Sequence, residues 1–197
     1  MEQVLDETVE TSGDGQLVER ARSGDRAAFD ELVRGHFARV YGLLFRMVGN
    51  HEDAEDLAQE AFVRAYRSLD WFRAESSFST WVYRIALHLA RDHQRKAGRR
   101  PLAAPLPEGD RTAEPAAGGG PSDELAHREL GLGLDRALRR LPGRLRAALA
   151  LRVFEGLEYE EISKLTGVTP GTARVHVMKA RRLLLRWLAP WLERSST

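Results

Sequence analysis

The chain has 197 residues, of which 43% are hydrophobic and none is cysteine. It is therefore long enough for a packed core, and its composition excludes disulfides and thiolate metal sites. No apolar run approaches the roughly 18 residues of a membrane span, and the acidic start of the chain differs from a secretory signal peptide. These features favour a protein of the reducing cytoplasm.

The net charge of +1 conceals an uneven distribution of charge along the chain. Residues 1–31 carry 3 basic and 9 acidic side chains, residues 71–100 carry 7 and 2, and residues 127–197 carry 14 and 7. Two separate basic regions predict two contacts with a polyanion, and a solvated surface is the alternative. We expect residues 1–15 to form a disordered acidic tail.

The first half of the chain is predicted to be all-helical. Apolar residues at helical spacing predict a helix over 29–47, a second beginning near Asn50 or His51, and a third over about 78–96. The acidic residues at the start of the second helix suit the positive end of its dipole. No segment shows the alternation of a strand.

An aromatic and hydroxyl-rich segment leads into the third helix. On that helix Trp81, Arg84, His88, Arg91 and Arg95 are spaced so that they share one face. Aromatic rings beside positive charge are what unstacked bases bind, so the segment predicts capture of single-stranded DNA. The alternative, which we favour for the individual rings, is that they anchor the segment in the core.

A linker divides the chain. Residues 97–122 contain five prolines and five glycines and show no hydrophobic period, and we assign the linker to 99–122. A flexible chain of 26 residues has a typical end-to-end distance of roughly 25–30 Å and reaches about 85 Å when extended. The predicted domains are therefore 16–98 and 123–192, each free to reach its own part of a partner.

The second domain is predicted to contain a helix over 125–141, another after Pro142 that stops near Gly156, and a helix-turn-helix over 159–184.

Three residues support the turn of the helix-turn-helix. Gly167 suits a left-handed turn, Thr169 is a good N-cap, and Pro170 fits the first position of the next helix. No acidic residue occurs between Thr169 and Trp187, so that helix is basic. The pattern predicts docking in a DNA major groove, and an ordinary helical hairpin is the alternative.

Motifs for catalysis and for metal binding are weak. The spacing Glu124-x-x-His127 is half of a di-iron carboxylate motif, and no matching pairs occur elsewhere in the chain. There is no phosphate loop, nucleophile elbow or dinucleotide fingerprint. We expect no metal, no cofactor and no enzymatic activity.

Five segments, in order, carry motifs of one known family. They begin with the acidic stretch 53–62 and the aromatic stretch 72–86, and continue with 141–144, 154–162 and 171–174. Together they resemble the extracytoplasmic-function (ECF) sigma factors of the sigma-70 family. In that family the matching segments are the polymerase-binding helix, the promoter-melting segment, the opening of the C-terminal domain and the start of the recognition helix.

The resemblance also has departures. His88 stands where the family usually has asparagine. Val175, His176 and Met178 replace the commoner serine, arginine and histidine of the recognition helix. These differences bear on base capture and on duplex sequence preference, and leave the expected fold unchanged.

The resemblance implies an all-α fold of two small helical domains, a region 2-like bundle and a region 4-like helix-turn-helix domain. It implies an alternative sigma factor that binds core RNA polymerase and directs promoter-specific transcription initiation in a stress or envelope response. The implied partners are core polymerase, promoter DNA as duplex and as melted strand, and an anti-sigma factor. The implied location is cytoplasmic, with nucleoid association when active. Two alternatives stay open, a stand-alone helix-turn-helix regulator of duplex DNA and a pure protein-interaction module.

The resemblance also assigns residues to three contacts. For polymerase they are Asp53, Asp56, Gln59 and Glu60. For the minus-ten element they are Phe72, Ser77, Phe78, Thr80, Trp81, Arg84, His88, Arg91 and Arg95. For the minus-thirty-five element they are Thr169, Gly171, Thr172, Arg174, His176, Lys179 and Arg181.

Overall fold

The computed structural model describes residues 3–97, 131 and 133–192. The linker assigned to 99–122 and the half-motif at Glu124 and His127 lie outside these residues. The described residues contain α-helices and no strand, which confirms the all-α prediction. The helices are α1 Gln3–Arg22, α2 Arg26–Val48, α3 His51–Arg67, α4 Phe78–Ala97, α5 133–140, α6 Gly143–Val153, α7 Tyr159–Thr166 and α8 Pro170–Leu192, with a 3-10 turn at Leu69–Trp71.

The N-terminal segment differs from the disordered tail that was predicted over residues 1–15. Helix α1 begins at Gln3, and its C-terminal part buries Val18 and Ala21 against the rest of the first half. Asp14 Oδ2 lies 2.9 Å from Nε2 of the buried His36 on α2. A helix anchored at one end elongates by one hydrogen bond per residue, even through polar sequence, and composition alone does not reveal such an anchor.

The break between α2 and α3 follows the sequence closely. Gly49 adopts φ of +79°, and its N–H donates to the carbonyl oxygen of Phe45 at 2.7 Å. Asn50 then caps α3, because its Oδ1 accepts a hydrogen bond from the N–H of Glu52 at 2.9 Å. The predicted start of this helix at Asn50 or His51 is confirmed.

The core of the first half lies where α2, α3 and α4 pack together. Helix α3 contributes mainly alanines, which let its backbone approach its neighbours closely. Helices α2 and α4 contribute the larger side chains that fill the space between them. The buried residues that form this core include Leu32, Val40, Leu43, Leu44, Met47, Ala54, Ala58, Ala61, Ala65, Val82, Ala86, Leu87 and Ala90.

Helix α6 lies at the centre of the second half. Its five successive residues from Ala147 to Leu151 are all buried, and successive residues of a helix point about 100° apart. The helix is therefore covered on every side, by α7 and α8 and also by α2 of the first half. One continuous hydrophobic cluster consequently runs through both halves.

The turn before α8 has the geometry that its residues predict. Gly167 adopts φ of +72°, and its N–H donates to the carbonyl oxygen of Ser163 at 2.9 Å. The N–H of Thr172 donates to Thr169 Oγ1 at 3.2 Å, so the threonine caps the helix that begins at Pro170. The predicted turn, cap and first helical position are confirmed.

The two halves, α1 to α4 and α5 to α8, meet at the C-terminal end of α2. Arg146 Nη1 donates to the carbonyl oxygen of Met47 at 2.6 Å, and Arg139 Nη1 donates to that of Gly49 at 2.5 Å. Free carbonyls and the negative end of the helix dipole favour guanidinium groups at this place. We call this contact the junction; it comprises Arg46, Met47, Gly49, Tyr83 and Gln94 of the first half and Arg139, Arg146, Phe154 and Glu155 of the second.

A half-buried carboxyl, that of Glu155, completes the junction. The hydroxyl of Tyr83 donates to Glu155 Oε2 at 2.6 Å, and the guanidinium carbon of Arg46 lies 3.7 Å from the ring centroid of Phe154. Burial raises the pKa of Glu155, and the hydrogen bond from Tyr83 and the charges of Arg46 and Arg39 offset only part of that rise. The junction is thus held by polar groups as well as by the shared core.

Candidate polymerase and nucleic-acid interfaces

Two of the predicted polymerase contacts on α3 are engaged within the molecule. Asp53 Oδ2 lies 3.3 Å from His93 Nε2 on α4 and accepts a hydrogen bond from Asn50 Nδ2 at 3.0 Å. Glu60 Oε1 forms an ion pair with Arg64 Nε at 2.7 Å, one turn further along the helix. Asp53 therefore positions α3 against α4 as well as carrying negative charge.

The open face of α3 carries the other two predicted contacts and one residue that was not among them. Asp56 and Gln59 are exposed, and so is Val63. These three residues are spaced i, i+3 and i+7, so they form one line along the helix. An apolar side chain bordered by polar ones is common at protein interfaces. The sequence motif indicated only the charged and polar residues of this helix. The exposure of Val63 in the structure shows that an apolar side chain lies on the same line.

The aromatic rings of the predicted minus-ten segment form a cluster inside the first half. Phe72 and Phe78 are buried, with Phe78 only 2% exposed, and both pack against Trp81 at centroid distances of 5.0 and 5.9 Å. His36 lies beneath Phe78 at 5.3 Å. The structure thus supports the anchoring alternative for Phe72 and Phe78, whereas Trp81 is half-buried.

The hydroxyl groups of this segment cap α4. Ser77 Oγ accepts a hydrogen bond from the N–H of Thr80 at 3.1 Å and donates to Thr80 Oγ1 at 2.8 Å. Ser79 Oγ lies 3.0 Å from the same Ser77 oxygen, and Thr80 is buried. These polar groups fix the direction in which α4 leaves the loop, and Ser77 acts as its N-cap.

The basic face predicted on α4 exists and is open. Arg84, His88, Arg91 and Arg95 are all exposed. Arg95 also pairs with Asp92 at 3.1 Å, and both side chains are more than half exposed. An exposed pair of this kind is weak in water, so its arginine stays available to a phosphate.

An exposed ring beside this segment was missing from the predicted contacts. Trp71 ends the 3-10 turn before the loop and is 77% exposed. Ala74, in the same loop, has φ of +54°, which is uncommon for a residue other than glycine. Spacing along the sequence cannot distinguish a buried ring from an exposed one, so it gave no sign that Trp71 is exposed.

Helix α8, the predicted recognition helix, buries one face and exposes the other. Ala173, Val177 and Ala180 are buried against the rest of the second half. The predicted contacts Gly171, Thr172, Arg174, Lys179 and Arg181 are exposed, Thr169 is the exposed N-cap, and His176 is half-buried. The helix thus offers an open basic face.

Two arginines flank a tyrosine at the start of the helix-turn-helix. The guanidinium carbons of Arg174 and Arg152 each lie 5.0 Å from the ring centroid of Tyr159. Contacts of this kind orient the guanidinium group without neutralising its charge. Arg174 is therefore held near the entrance of the basic face.

Two further classes of site are not found in the part of the chain that the structure describes. Its helices include none that is long and apolar enough to cross a bilayer. Across the same residues, no group of three or more histidine, aspartate and glutamate side chains is placed to hold a metal ion.

Comparisons with known proteins show which family the chain resembles. The family model for sigma-70 region 2 matches residues 32–100, and the model for sigma-70 region 4 matches residues 132–184. The chain is 40% identical over 189 residues to the RNA polymerase sigma-H factor of Pseudomonas aeruginosa, which covers 91% of this chain and 95% of that protein. It is 37% identical over 188 residues to the ECF RNA polymerase sigma-E factor of Escherichia coli K12, at 92% and 97% coverage. The chain belongs to the ECF sigma factors.

Two solved structures are similar in fold to this ECF sigma factor. One is CnrH in complex with the cytosolic domain of CnrY, with a TM-score of 0.68, 24% identity and coverage of 90% of this chain and 98% of that one. The other is the sigma factor RpoE with the anti-sigma factor NepR from Bartonella quintana, with a TM-score of 0.62, 21% identity and coverage of 82% and 96%. At these identities the likeness supports the helical architecture alone.

The matched regions coincide with the open faces of this ECF sigma factor. The region 2 match covers the line of Asp56, Gln59 and Val63 and the basic face of α4. The region 4 match covers α6, α7 and most of α8, including its exposed basic face. Each region therefore has surface available for a partner.

Proposed function

We propose that this ECF sigma factor binds core RNA polymerase and directs promoter-specific transcription initiation in a stress or envelope response. The observation that carries the proposal is the order of a region 2 and a region 4 match along one chain, each with an exposed basic face. The work is binding rather than catalysis. We propose a cytoplasmic location, with association to the nucleoid when the protein is active.

The polymerase contact that we propose is the line of Asp56, Gln59 and Val63 on α3. Charged and polar groups steer the approach of a partner, and the apolar side chain beside them forms a contact from which water is excluded. Asp53 and Glu60 remain proposed contacts, although each already has an intramolecular partner.

The minus-ten contact that we propose combines the basic face of α4 with an exposed ring. Arg84, Arg91 and Arg95 are placed to bind the backbone of the melted strand, and His88 lies among them. Trp71 offers a stacking surface worth about 1–3 kcal/mol per base. Phe72, Phe78, Trp81, Ser77 and Thr80 hold the loop in which an extruded base is received.

The minus-thirty-five contact that we propose is the exposed face of α8 in the major groove of duplex DNA. Arg174, Lys179 and Arg181 supply contacts to bases or phosphates, with His176 at the edge of that face. A bidentate arginine–guanine pair contributes about 1–3 kcal/mol of discrimination. Thr169, Gly171 and Thr172 form the helix N-terminus, which suits a phosphate.

The division into domains follows from this function. We propose 16–98 as the polymerase and minus-ten domain, 99–122 as the linker and 123–192 as the minus-thirty-five domain. Two elements at different places on a promoter require the two halves to separate at the junction. An anti-sigma factor is a further partner that we propose, since the solved RpoE structure contains one.

The test is retention of purified core RNA polymerase by the tagged full-length chain. We expect stoichiometric retention, and at least a tenfold loss of affinity for Asp56→Arg, because a charge reversal at the exposed line disrupts the contact. Glu160→Arg, a reversal at an exposed position on α7, is the matched control and is expected to keep wild-type affinity.

The retained complex is then tested in run-off transcription on a promoter library. Promoter-dependent transcripts from the reconstituted enzyme are the expected result. No retention of core polymerase, together with tight specific binding of duplex DNA by the free chain, would instead establish a stand-alone regulator. No retention and no DNA binding would leave the protein-interaction module.

A further inference from the structure

The exposed face of the recognition helix α8 is not uniformly polar. Val175 is 44% exposed and Met178 is 63% exposed, while the neighbouring Arg174, Lys179 and Arg182 supply positive charge on either side. Large apolar side chains on an otherwise charged helix face are held in water at a cost of about 25 cal/mol per Å² of exposed apolar surface. Such a pair offers an apolar surface to an occupant.

The position of the pair in the helix limits what that occupant is. Val175 and Met178 are the sixth and ninth residues of α8, one turn apart and within about 60° of each other around the axis. In helix-turn-helix proteins the N-terminal residues of the second helix contact base edges. The pair therefore lies in the part of α8 that reaches the floor of the major groove.

Charge selects DNA over a protein partner for this face. Between Pro170 and Trp187 the chain has five lysine and arginine residues and no acidic residue, so the apolar pair is surrounded by groups that attract a polyanion. A partner helix with an apolar seam would need a dense acidic border to match it. Duplex DNA supplies that border with its phosphates.

The chemistry of the groove then identifies the contact. In the major groove, the apolar group presented by a base pair is the C5 methyl of thymine, and the remaining groups are hydrogen-bond donors and acceptors. We propose that Val175 and Met178 read thymine methyl groups in the upstream duplex element, so that they determine sequence specificity at two neighbouring positions. This inference rests on the proposed function.

Helix geometry supports two neighbouring base pairs. Three residues along an α-helix advance by about 4.5 Å, and one base pair of B-DNA advances by about 3.4 Å. The two side chains thus meet methyl groups on adjacent or next-but-one base pairs. Arg174 and Lys179, which flank the pair, contact the guanines or phosphates on either side.

The test deletes single methyl groups from the DNA. The reconstituted holoenzyme, made from core polymerase and the full chain, first selects promoters from a random duplex library. Each thymine of the selected upstream element is then replaced, one at a time, by deoxyuridine, which lacks only the C5 methyl. We expect one or two positions at which binding falls about fourfold, the value for burying one methyl-sized group.

Variants assign that loss to the two side chains. Val175→Ala and Met178→Ala remove the contact, so each is expected to make one uridine position indistinguishable from thymine. Met178→Leu keeps an apolar tip and is expected to retain the discrimination, whereas Met178→Gln loses it. Leu185→Ala is the matched control, because Leu185 is also 63% exposed but lies two turns further along α8.

Each outcome of the methyl-deletion experiment either supports or overturns the proposal. Methyl sensitivity that disappears in the alanine variants and persists in Leu185→Ala supports the proposal. A holoenzyme that selects promoters but shows no methyl sensitivity, or the same sensitivity in every variant, overturns the proposal and leaves the sigma function intact. A chain that neither binds core polymerase nor selects a promoter overturns both. Exposed positions and the helix propensity of alanine make misfolding of these variants easy to exclude by circular dichroism.

Discussion

Replacing Tyr83 with phenylalanine tests the junction with the loss of a single hydroxyl group. The hydroxyl donates to Glu155 Oε2 at 2.6 Å across the junction, and the ring itself is buried. Hydrogen bonds to charged groups contribute about 1.5–3 kcal/mol. Arg46 and Arg39 still face Glu155 in the variant, so we expect a loss at the lower end of this energy range. We therefore expect the ratio of separated to joined halves to rise about tenfold at neutral pH.

The pH dependence of that change has a definite sign. Burial raises the pKa of Glu155 above its ordinary value of 4.5. A carboxyl whose pKa is raised in the joined state contributes stability that is complete below the ordinary pKa and is lost as pH rises through the raised one. The hydrogen bond from Tyr83 lowers the pKa of Glu155. Removing that bond therefore raises this pKa further and moves the loss of stability of the joined state to higher pH. The difference between variant and wild type is thus expected to be larger above the raised pKa than below the ordinary one.

Fluorescence energy transfer between the two halves measures the separation. The chain has no cysteine, so Arg67→Cys on α3 and Lys164→Cys on α7, both exposed, give a unique pair of labelling sites. Tyr66→Phe is the control, since the ring of Tyr66 packs on Phe29 within the first half. Identical transfer in Tyr83→Phe and wild type at every pH from about 5 to 8 would refute the reasoning.

Three further predictions concern the minus-ten segment. Phe78→Ala leaves a cavity beneath the loop, and we expect a loss of about 3–5 kcal/mol in the free energy of unfolding by urea; a loss under 1 kcal/mol would show that the ring is not a core residue. Ser77→Ala removes the cap of α4, with an expected cost of about 1 kcal/mol in the same assay, and Ser77→Asp is expected to restore it. Trp71→Ala is expected to leave stability unchanged but to weaken binding of the melted strand about 5- to 150-fold, measured by permanganate reactivity of the open promoter; unchanged reactivity would remove Trp71 from the site.

Local sequence signals were sufficient for three of the helix boundaries. The start of α3 at Asn50, the turn at Gly167 and the beginning of α8 at Pro170 each depend on one or two residues whose backbone or capping preference is strong. Neighbouring side chains decide such features, and these are read directly from the chain. The basic faces of α4 and α8 followed in the same way, from spacing alone.

Exposure was harder to predict, because it depends on what packs against a helix from elsewhere. Phe78 lies in the aromatic stretch 72–86 and Trp71 directly precedes it, yet Phe78 is buried on His36 and Trp71 is open to solvent. The exposure of Val63 has the same cause, because no neighbour packs on the outer side of α3 in the described structure. Sequence spacing fixes the face of a helix to which a residue belongs, but not whether that face is covered.

The contacts of the junction could not be predicted from the sequence, for a different physical reason. Arg146 and Arg139 bind the main-chain carbonyl oxygens of Met47 and Gly49, and such acceptors leave no trace in side-chain pattern. The same fact makes the polar part of the junction suitable for opening. Carbonyl groups at a helix end are readily satisfied by water, so separation exchanges these hydrogen bonds for solvent instead of leaving a charge buried and unpaired. A partner that binds only the separated halves then loses affinity in proportion to the fraction of molecules that are open. Tyr83→Phe is accordingly expected to strengthen the apparent binding of such a partner by the same factor, about tenfold, by which it raises the open fraction.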